Sequence, residues 1–156
     1  MYIRHLKGFT LVELIATLII IALIAAVTGP RFFDINVFRA SGFYDETLSA
    51  VRYAQKLAVA TNCNVQVNFT ATGYSLLRPV NAAACGSGTY ATNVVDPSNN
   101  EPSFTRTAPP GVGLSTAPVT PSIVFSGDGR ASANVTVTVG GKSFNVIAET
   151  GFVQRQ

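Results

Sequence analysis

A single acid sits inside the longest apolar run of the chain. Residues Phe9 to Thr28 read FTLVELIATLIIIALIAAVT, and Glu13 is the only charge among them. About 20 apolar residues in a helix span the hydrocarbon core of a bilayer. The run is therefore a candidate membrane span rather than a core helix of a small soluble domain. A carboxylate in such a span costs about 2.5–3.5 kcal/mol at the helix centre on insertion scales. Glu13 therefore needs a partner, and it reads as functional. The residues before the run, MYIRHLKG, form a short basic leader.

A secretory signal peptide would carry a shorter apolar core, about 7–15 residues, with cleavage after it. An ordinary anchor would have no use for Glu13. A third arrangement fits the residues: cleavage ahead of the run. Lys7-Gly8-Phe9-Thr10-Leu11-Val12-Glu13-Leu14-Ile15 is similar to the class III signal of type IV pilins and type II secretion pseudopilins. That resemblance implies a leader of residues 1–8 and cleavage between Gly8 and Phe9 by a membrane prepilin peptidase. It also implies N-methylation of the new Phe9 amine. Arg4 and Lys7 would stay cytoplasmic, in keeping with the positive-inside rule. The rest of the chain would then form a single-pass inner-membrane protein with a periplasmic head. The freed amine lies one helical turn from Glu13. A buried carboxylate needs a cation, and the resemblance implies the Phe9 amine of a neighbouring subunit.

Residues 9–29 are thus expected to form a membrane and assembly helix. Gly29-Pro30 is expected to bend or break the rod, because proline removes an intrahelical hydrogen bond. Residues 30–62 read as an amphipathic continuation. Phe43 or Tyr44, Leu48, Val51, Leu57 and Ala58 recur near helical spacing. Ser41-Gly42 marks a weak point or a fresh N-cap within that stretch.

From residue 63 to 156 the chain reads as a β-rich head. Val65–Phe69 alternates, Thr70–Gly73 turns and Tyr74–Leu77 returns, which is a hairpin signature. A long segment, 79–121, carries many Pro, Asn, Ser, Gly and Thr residues and no clear period; loops of this length are usually functional or mobile. Strands are expected again at 122–125, 135–139 and 143–148, with Gly140-Gly141 as a tight turn and 151–153 as a last edge. The fold class read from the sequence is α+β: a long hydrophobic helix runs into an amphipathic helix packed on an antiparallel head.

The whole chain carries a net charge of +3. Two of its 11 basic residues are leader residues Arg4 and Lys7, so the remainder is close to neutral. This is a poor composition for a nucleic-acid binder, which shows a clustered basic face. Cys63 and Cys85 are the two cysteines. In an exported domain they read as one disulfide, worth about 3 kcal/mol before strain; in a domain kept in a reducing compartment they would be two buried thiols.

The order of elements resembles the minor pseudopilin H / FimT family. Phe125-Ser126-Gly127-Asp128-Gly129-Arg130-Ala131 is similar to the family's Gly-Arg turn. Tyr53–Ala58, taken together with Cys63, most resembles the C-type minor pilin of the MSHA pilus. The resemblance implies a structural subunit that helps initiate or cap a type IV pilus-like or type II secretion filament. Its partners would be other major and minor (pseudo)pilins and an inner-membrane assembly platform. A pilus-tip binding module, adhesin or DNA-uptake subunit, is the alternative.

The residues offer no enzyme. The single histidine, His5, lies in the leader, which leaves no Ser-His-Asp triad in the mature chain. Asp34 and Asp45-Glu46 lack metal-type partners at suitable spacing. Gly86-Ser87-Gly88 and Gly127-Asp128-Gly129 lack the Lys-Ser/Thr context of a phosphate loop. No cofactor or metal is expected. Arg130 and Arg155 are the candidates for a DNA contact, but Phe152 follows Gly151 where a DNA reader of this kind would place arginine. One or two arginines neutralise too few phosphates for strong binding.

Overall fold

A computed structural model describes residues 8–32 and 35–156, with side-chain surroundings for 8–26 and 35–156. It divides into two compact units, residues 1–35 and 36–156. In the first unit, α1 runs Leu11–Phe32. Its described apolar side chains, among them Leu14, Leu18, Ile21 and Ile24, are exposed, so neither one face nor the other is covered. A helix apolar all round is made for an apolar surrounding rather than for water. Among the described residues no helix is long and apolar enough to cross a membrane. The helix assignment continues through Gly29 and Pro30 to Phe32; the side chain of Pro30, like Asp34 and the whole of 1–7, lies outside the described residues.

The second unit is the head. Helix α2, Ile35–Thr61, is unbroken, and Ser41-Gly42 does not interrupt it. Helical bonding to the turns on either side holds one glycine at a cost of about 1 kcal/mol. From Phe43 onward α2 buries Phe43, Tyr44, Thr47, Leu48, Ala50, Val51, Ala54 and Ala58. The spacing of three and four places them along one stripe. Thr47 is tolerated there because its hydroxyl donates to the Phe43 carbonyl, 2.7 Å away.

Two antiparallel sheets meet this stripe. The first contains β1 (Val65–Thr70), β2 (Gly73–Pro79), β3 (Tyr90–Asn93), β4 (Thr105–Thr107) and β6 (Ser122–Phe125), in the order β3-β2-β1-β6 with β4 also on β2. The second contains β5 (Leu114–Ala117), β7 (Val135–Val139), β8 (Lys142–Val146) and β9 (Val153–Arg155), in the order β5-β7-β8-β9. The hairpins expected from alternation are present: Val67 faces Leu76 and Val137 faces Phe144 across their ladders. The antiparallel head expected from the sequence is built as these two sheets. The reading of 79–121 as a loop without period is corrected: it holds a short 3-10 turn (Ala82–Ala84) and three strands, β3, β4 and β5.

The core is one continuous cluster drawn from α2 and both sheets. Tyr44 meets Phe144 edge-on at 5.9 Å between centroids, and Phe43 and Tyr53 reach Tyr74 and Phe104 at 5.9 and 5.8 Å. Where a turn presses on α2, a side chain cannot fit. Gly151 has φ +62°, and a Cβ there would meet the Gly129 carbonyl oxygen at 2.0 Å and Gln55 Nε2 at 2.6 Å. Gln55 Nε2 donates to the Gly129 and Thr150 carbonyls, which locks this turn to the helix.

The expected consequence is sharp. Gly151→Ala combines a left-handed backbone with a backbone collision, and should destabilise the head by more than about 2 kcal/mol. Gly141, also at positive φ but with open space around its Cβ position, should cost about 1 kcal/mol on the same substitution. Urea unfolding of the two variants checks the difference.

Candidate functional site

The exposed end of α1 brings together Gly8, Phe9 and Glu13, the residues expected from the sequence to serve in processing and assembly. Gly8 has nothing within 4 Å of where a Cβ would lie, and Phe9 is 77 % exposed. The Gly8–Phe9 bond therefore sits in open chain just ahead of the helix. Thr10 is the N-cap. Its Oγ1 accepts from the Glu13 amide at 3.3 Å, and its carbonyl accepts from Leu14 N at 3.1 Å. Glu13 is thus the third residue of the helix, in the first turn. Thr10-Leu11-Val12-Glu13 has the spacing of a capping box, a signal present in the sequence but hidden by the apolar run around it. Helix N-termini expose unsatisfied N–H groups and carry a partial positive charge. Among the described residues Glu13 has no ion-pair partner.

In the head, Cys63 and Cys85 form the disulfide. It fastens the end of α2 to the 3-10 turn. Asn64 beside it adds two bonds, its amide to the Cys85 carbonyl at 2.9 Å and its Nδ2 to the Gly86 carbonyl at 2.7 Å. The bridge, α2 and the start of β1 and the end of β2 enclose a cavity of about 200 Å³ lined by Leu57, Val65, Pro79 and Val80.

A second fastening was not visible in the sequence. Asp96 is fully buried. It accepts from Ser98 Oγ at 2.6 Å and from Ser98 N at 2.8 Å, and it pairs with Arg106. Arg106 Nε also donates to Glu46 Oε1 of α2 at 2.7 Å, and its guanidinium stands 5.4 Å over the Phe104 ring. Burial opposes the charge on Asp96. The Ser98 hydroxyl and amide and the Arg106 guanidinium outweigh it and hold the carboxyl below its ordinary value. Nearby, burial first, then Glu46, push the Tyr74 phenol well above its usual range; its hydroxyl is buried with no hydrogen-bond partner among the described residues. The network clamps the segment around β4 onto α2.

The two arginines singled out for DNA are engaged elsewhere. Arg155 pairs with Asp45 at 2.5 Å and lies 5.8 Å over Tyr44; Arg130 pairs with Asp128 at 3.5 Å. The Asp128 carboxyl is held below its ordinary value by the Ser126 hydroxyl and the Arg130 amide. Among the described residues no group of three His, Cys, Asp or Glu side chains could hold a metal ion. His5 lies outside them.

Comparison with known proteins gives two family matches. The model of the type II transport protein GspH matches residues 45–150, and that of the prokaryotic N-terminal methylation motif matches residues 3–29. No curated protein matches significantly. Among solved structures, the type IV minor pilin FimU of Pseudomonas aeruginosa has the same fold in two crystal forms. One aligns with a TM-score of 0.52 at 14% identity, covering 75% of this chain and 87% of that one. The other gives 0.51 at 14% identity, covering 74% and 91%.

The Asp96 clamp has a pH signature. Its folded pKa is lower than the unfolded value of about 3.9. Its stabilisation is therefore complete above about pH 4 and is lost as pH falls through the folded value. Asp96→Asn should cost about 2 kcal/mol at pH 7, a figure reduced because Arg106 keeps a water-facing edge. The gap between variant and parent should narrow as pH falls below about 4. Urea titrations at pH 7 and pH 3 check both statements; an equal gap at both would contradict them.

Proposed function

The chain belongs to the GspH family of type II transport proteins, and from that premise we propose that it is a minor subunit that helps initiate or cap a secretion or pilus-like filament. It is a structural, non-enzymatic pseudopilin carrying an N-terminal methylation motif. The observation that carries the finer reading is the arrangement at the start of α1: an open Gly8–Phe9 bond, an exposed Phe9 and a first-turn Glu13 without a cation among the described residues.

In this reading a prepilin peptidase cuts between Gly8 and Phe9 and methylates the new amine. The N-terminal segment then anchors the protein in the inner membrane, with the head in the periplasm. The exposed apolar surface of α1 supports this, since it is satisfied by lipid before assembly and by the same helices of neighbouring (pseudo)pilins afterwards. In the bundle the Phe9 amine of one subunit meets Glu13 of the next. An apolar seam alone would let helices slide; a single charge pair in low dielectric fixes the register. Pro30 would adjust the rod where it leaves the membrane. The inner-membrane platform would feed subunits into the filament. The likeness of the fold to a type IV minor pilin and the resemblance of Tyr53–Ala58 and Cys63 to an MSHA minor pilin support a pilus setting as readily as a secretion one.

Two substitutions separate processing from assembly. Gly8→Ala should block cleavage, so that mass spectrometry finds the intact leader; a mature N-terminus at Phe9 would contradict the cleavage site. Glu13→Ala should leave the Phe9 terminus intact. It should nonetheless reduce co-purification with the major pseudopilin by at least about tenfold, the scale of losing one desolvated charge pair. Normal incorporation of that variant would sink the register argument.

A further inference from the structure

Strand edges in native sheets are blunted by charge, cover or bulges, and most edges of this head are. Arg52 donates to the Val153 carbonyl of β9. Ser132 covers β6: its amide donates to the Val124 carbonyl, and its hydroxyl accepts from the Val124 amide. On β5, the Leu114 amide donates to the Ala71 carbonyl. β4 carries the charge of Arg106, whose Nη1 donates to the Thr105 carbonyl. β3 differs. Its residues Tyr90-Ala91-Thr92-Asn93 are uncharged, and it pairs with β2 on one side and with no strand on the other.

The ladder register says which backbone groups are free. Val94 N donates to the Leu76 carbonyl at 3.1 Å, and the next pairs are Leu77 with Asn93 and Arg78 with Thr92. Bonded and non-bonded pairs alternate in an antiparallel ladder. The Leu77–Asn93 pair is therefore non-bonded, and the N–H and C=O of Asn93 point away from β2. Neither has a partner among the described residues. The register shifts between Arg78 and Pro79, so the regular free stretch is short and needs a second anchor. One lies beside it. Thr92 and Arg78 line the cavity of about 200 Å³ next to the disulfide, together with Leu57, Val65, Pro79 and Val80. Alternation from the buried Leu76 puts Arg78, and Thr92 opposite it, on the same face as this cavity. Arg78 is exposed and makes no ion pair among the described residues.

We propose that β3 takes an extended segment of another protein as an added strand, with one apolar side chain in the cavity and an acidic side chain facing Arg78. Each part selects a part of that occupant. The outward N–H and C=O of Asn93 match a peptide backbone, which supplies the complementary pair at strand spacing. The apolar walls formed by Leu57, Val65, Pro79 and Val80 match an aliphatic side chain. Unpaired Arg78 matches a carboxylate, and side chains two residues apart on a strand share a face. The recognised pattern is therefore an apolar and an acidic residue separated by one position. A small carboxylate would leave the strand edge unused, and one arginine neutralises too little charge to hold a nucleic acid. The proposal does not rest on the filament reading, since no residue of α1 enters it.

The test uses the full chain in detergent micelles, read by NMR on the backbone amides of Thr92 and Asn93. The probes are the blocked peptides Ac-Thr-Leu-Thr-Glu-Thr-NH2 and Ac-Thr-Glu-Thr-Leu-Thr-NH2, one for each strand direction. At least one should shift both amides saturably. Of its two backbone N-methylated versions, at Leu and Glu or at the central Thr, one should bind about tenfold more weakly, the scale of two ladder hydrogen bonds. The other should bind as before. Arg78→Glu should weaken the Glu peptide about fivefold, the scale of one exposed ion pair, and should favour the version with Lys in place of Glu. Val137 and Phe144 signals confirm that the variant is folded. Absence of a shift with both peptides overturns the proposal, as do equal effects of the two N-methylations or a retained preference for Glu in folded Arg78→Glu. Sodium isovalerate binding as tightly as the peptides would overturn it in favour of a small-molecule site.

Discussion

Everything in the head depends on one stripe of α2. Phe43, Tyr44, Leu48, Val51, Ala54 and Ala58 face a core to which both sheets contribute. Neither sheet could bury its apolar face alone, since each has only four or five strands and one inward side. The helix supplies the shared wall. The small residues Ala54 and Ala58 allow close approach, and the aromatic residues fill the wider end, where Tyr44 reaches Phe144 and Phe43 reaches Tyr74. The turns that touch α2 have glycine at the contact: Gly140 beside Ala40, Gly151 beside Gln55 and Gly127 beside Asn62. The sheets are thus positioned by the helix along its length, and the helix in turn is a continuous rod from Ile35 to Thr61.

Charge is used sparingly and for fastening. Glu46–Arg106–Asp96 holds β4 to α2, and Asp45–Arg155 holds β9 to it. Arg52 donates to the Val153 carbonyl at 3.0 Å, which occupies part of the free edge of β9. An open edge strand invites pairing with other chains, and covering it limits such pairing. The two arginines singled out for phosphate each face a carboxylate at the surface, Arg155 facing Asp45 and Arg130 facing Asp128.

Periodicity made part of this legible. The hairpins β1–β2 and β7–β8 announced themselves because alternate residues such as Val65, Val67 and Phe69, or Val135, Val137 and Val139, face the core. The helix stripe was readable for the same reason. β3, β4 and β5 were not. They are three or four residues long, and although their burial alternates, only Leu114 among them is buried. They are strands because β2 and β7 offer them partners and because Arg106 and the disulfide tether the segment between. Those are long-range causes that no local window contains. The Asp96–Arg106 pair is ten residues apart in a segment without a period, so its burial has no signature in the sequence.

The cap at Thr10 alters how Glu13 should be understood. Placed at the third position of α1, its carboxylate lies where the helix N-terminus carries about half a positive charge. That is worth about 0.3–1 kcal/mol at an exposed end and up to about 2 when partly buried. An acid at the centre of a span costs about 2.5–3.5 kcal/mol, and less near its end, where Glu13 stands. The helix end offsets part of that smaller cost. A partly compensated acid can be carried by a lone subunit near the membrane surface, yet it still gains by meeting a full cation. On the proposed reading, that difference suits Glu13 to assembly: a fully satisfied acid would give no preference for a partner, and a wholly unsatisfied one would hinder insertion.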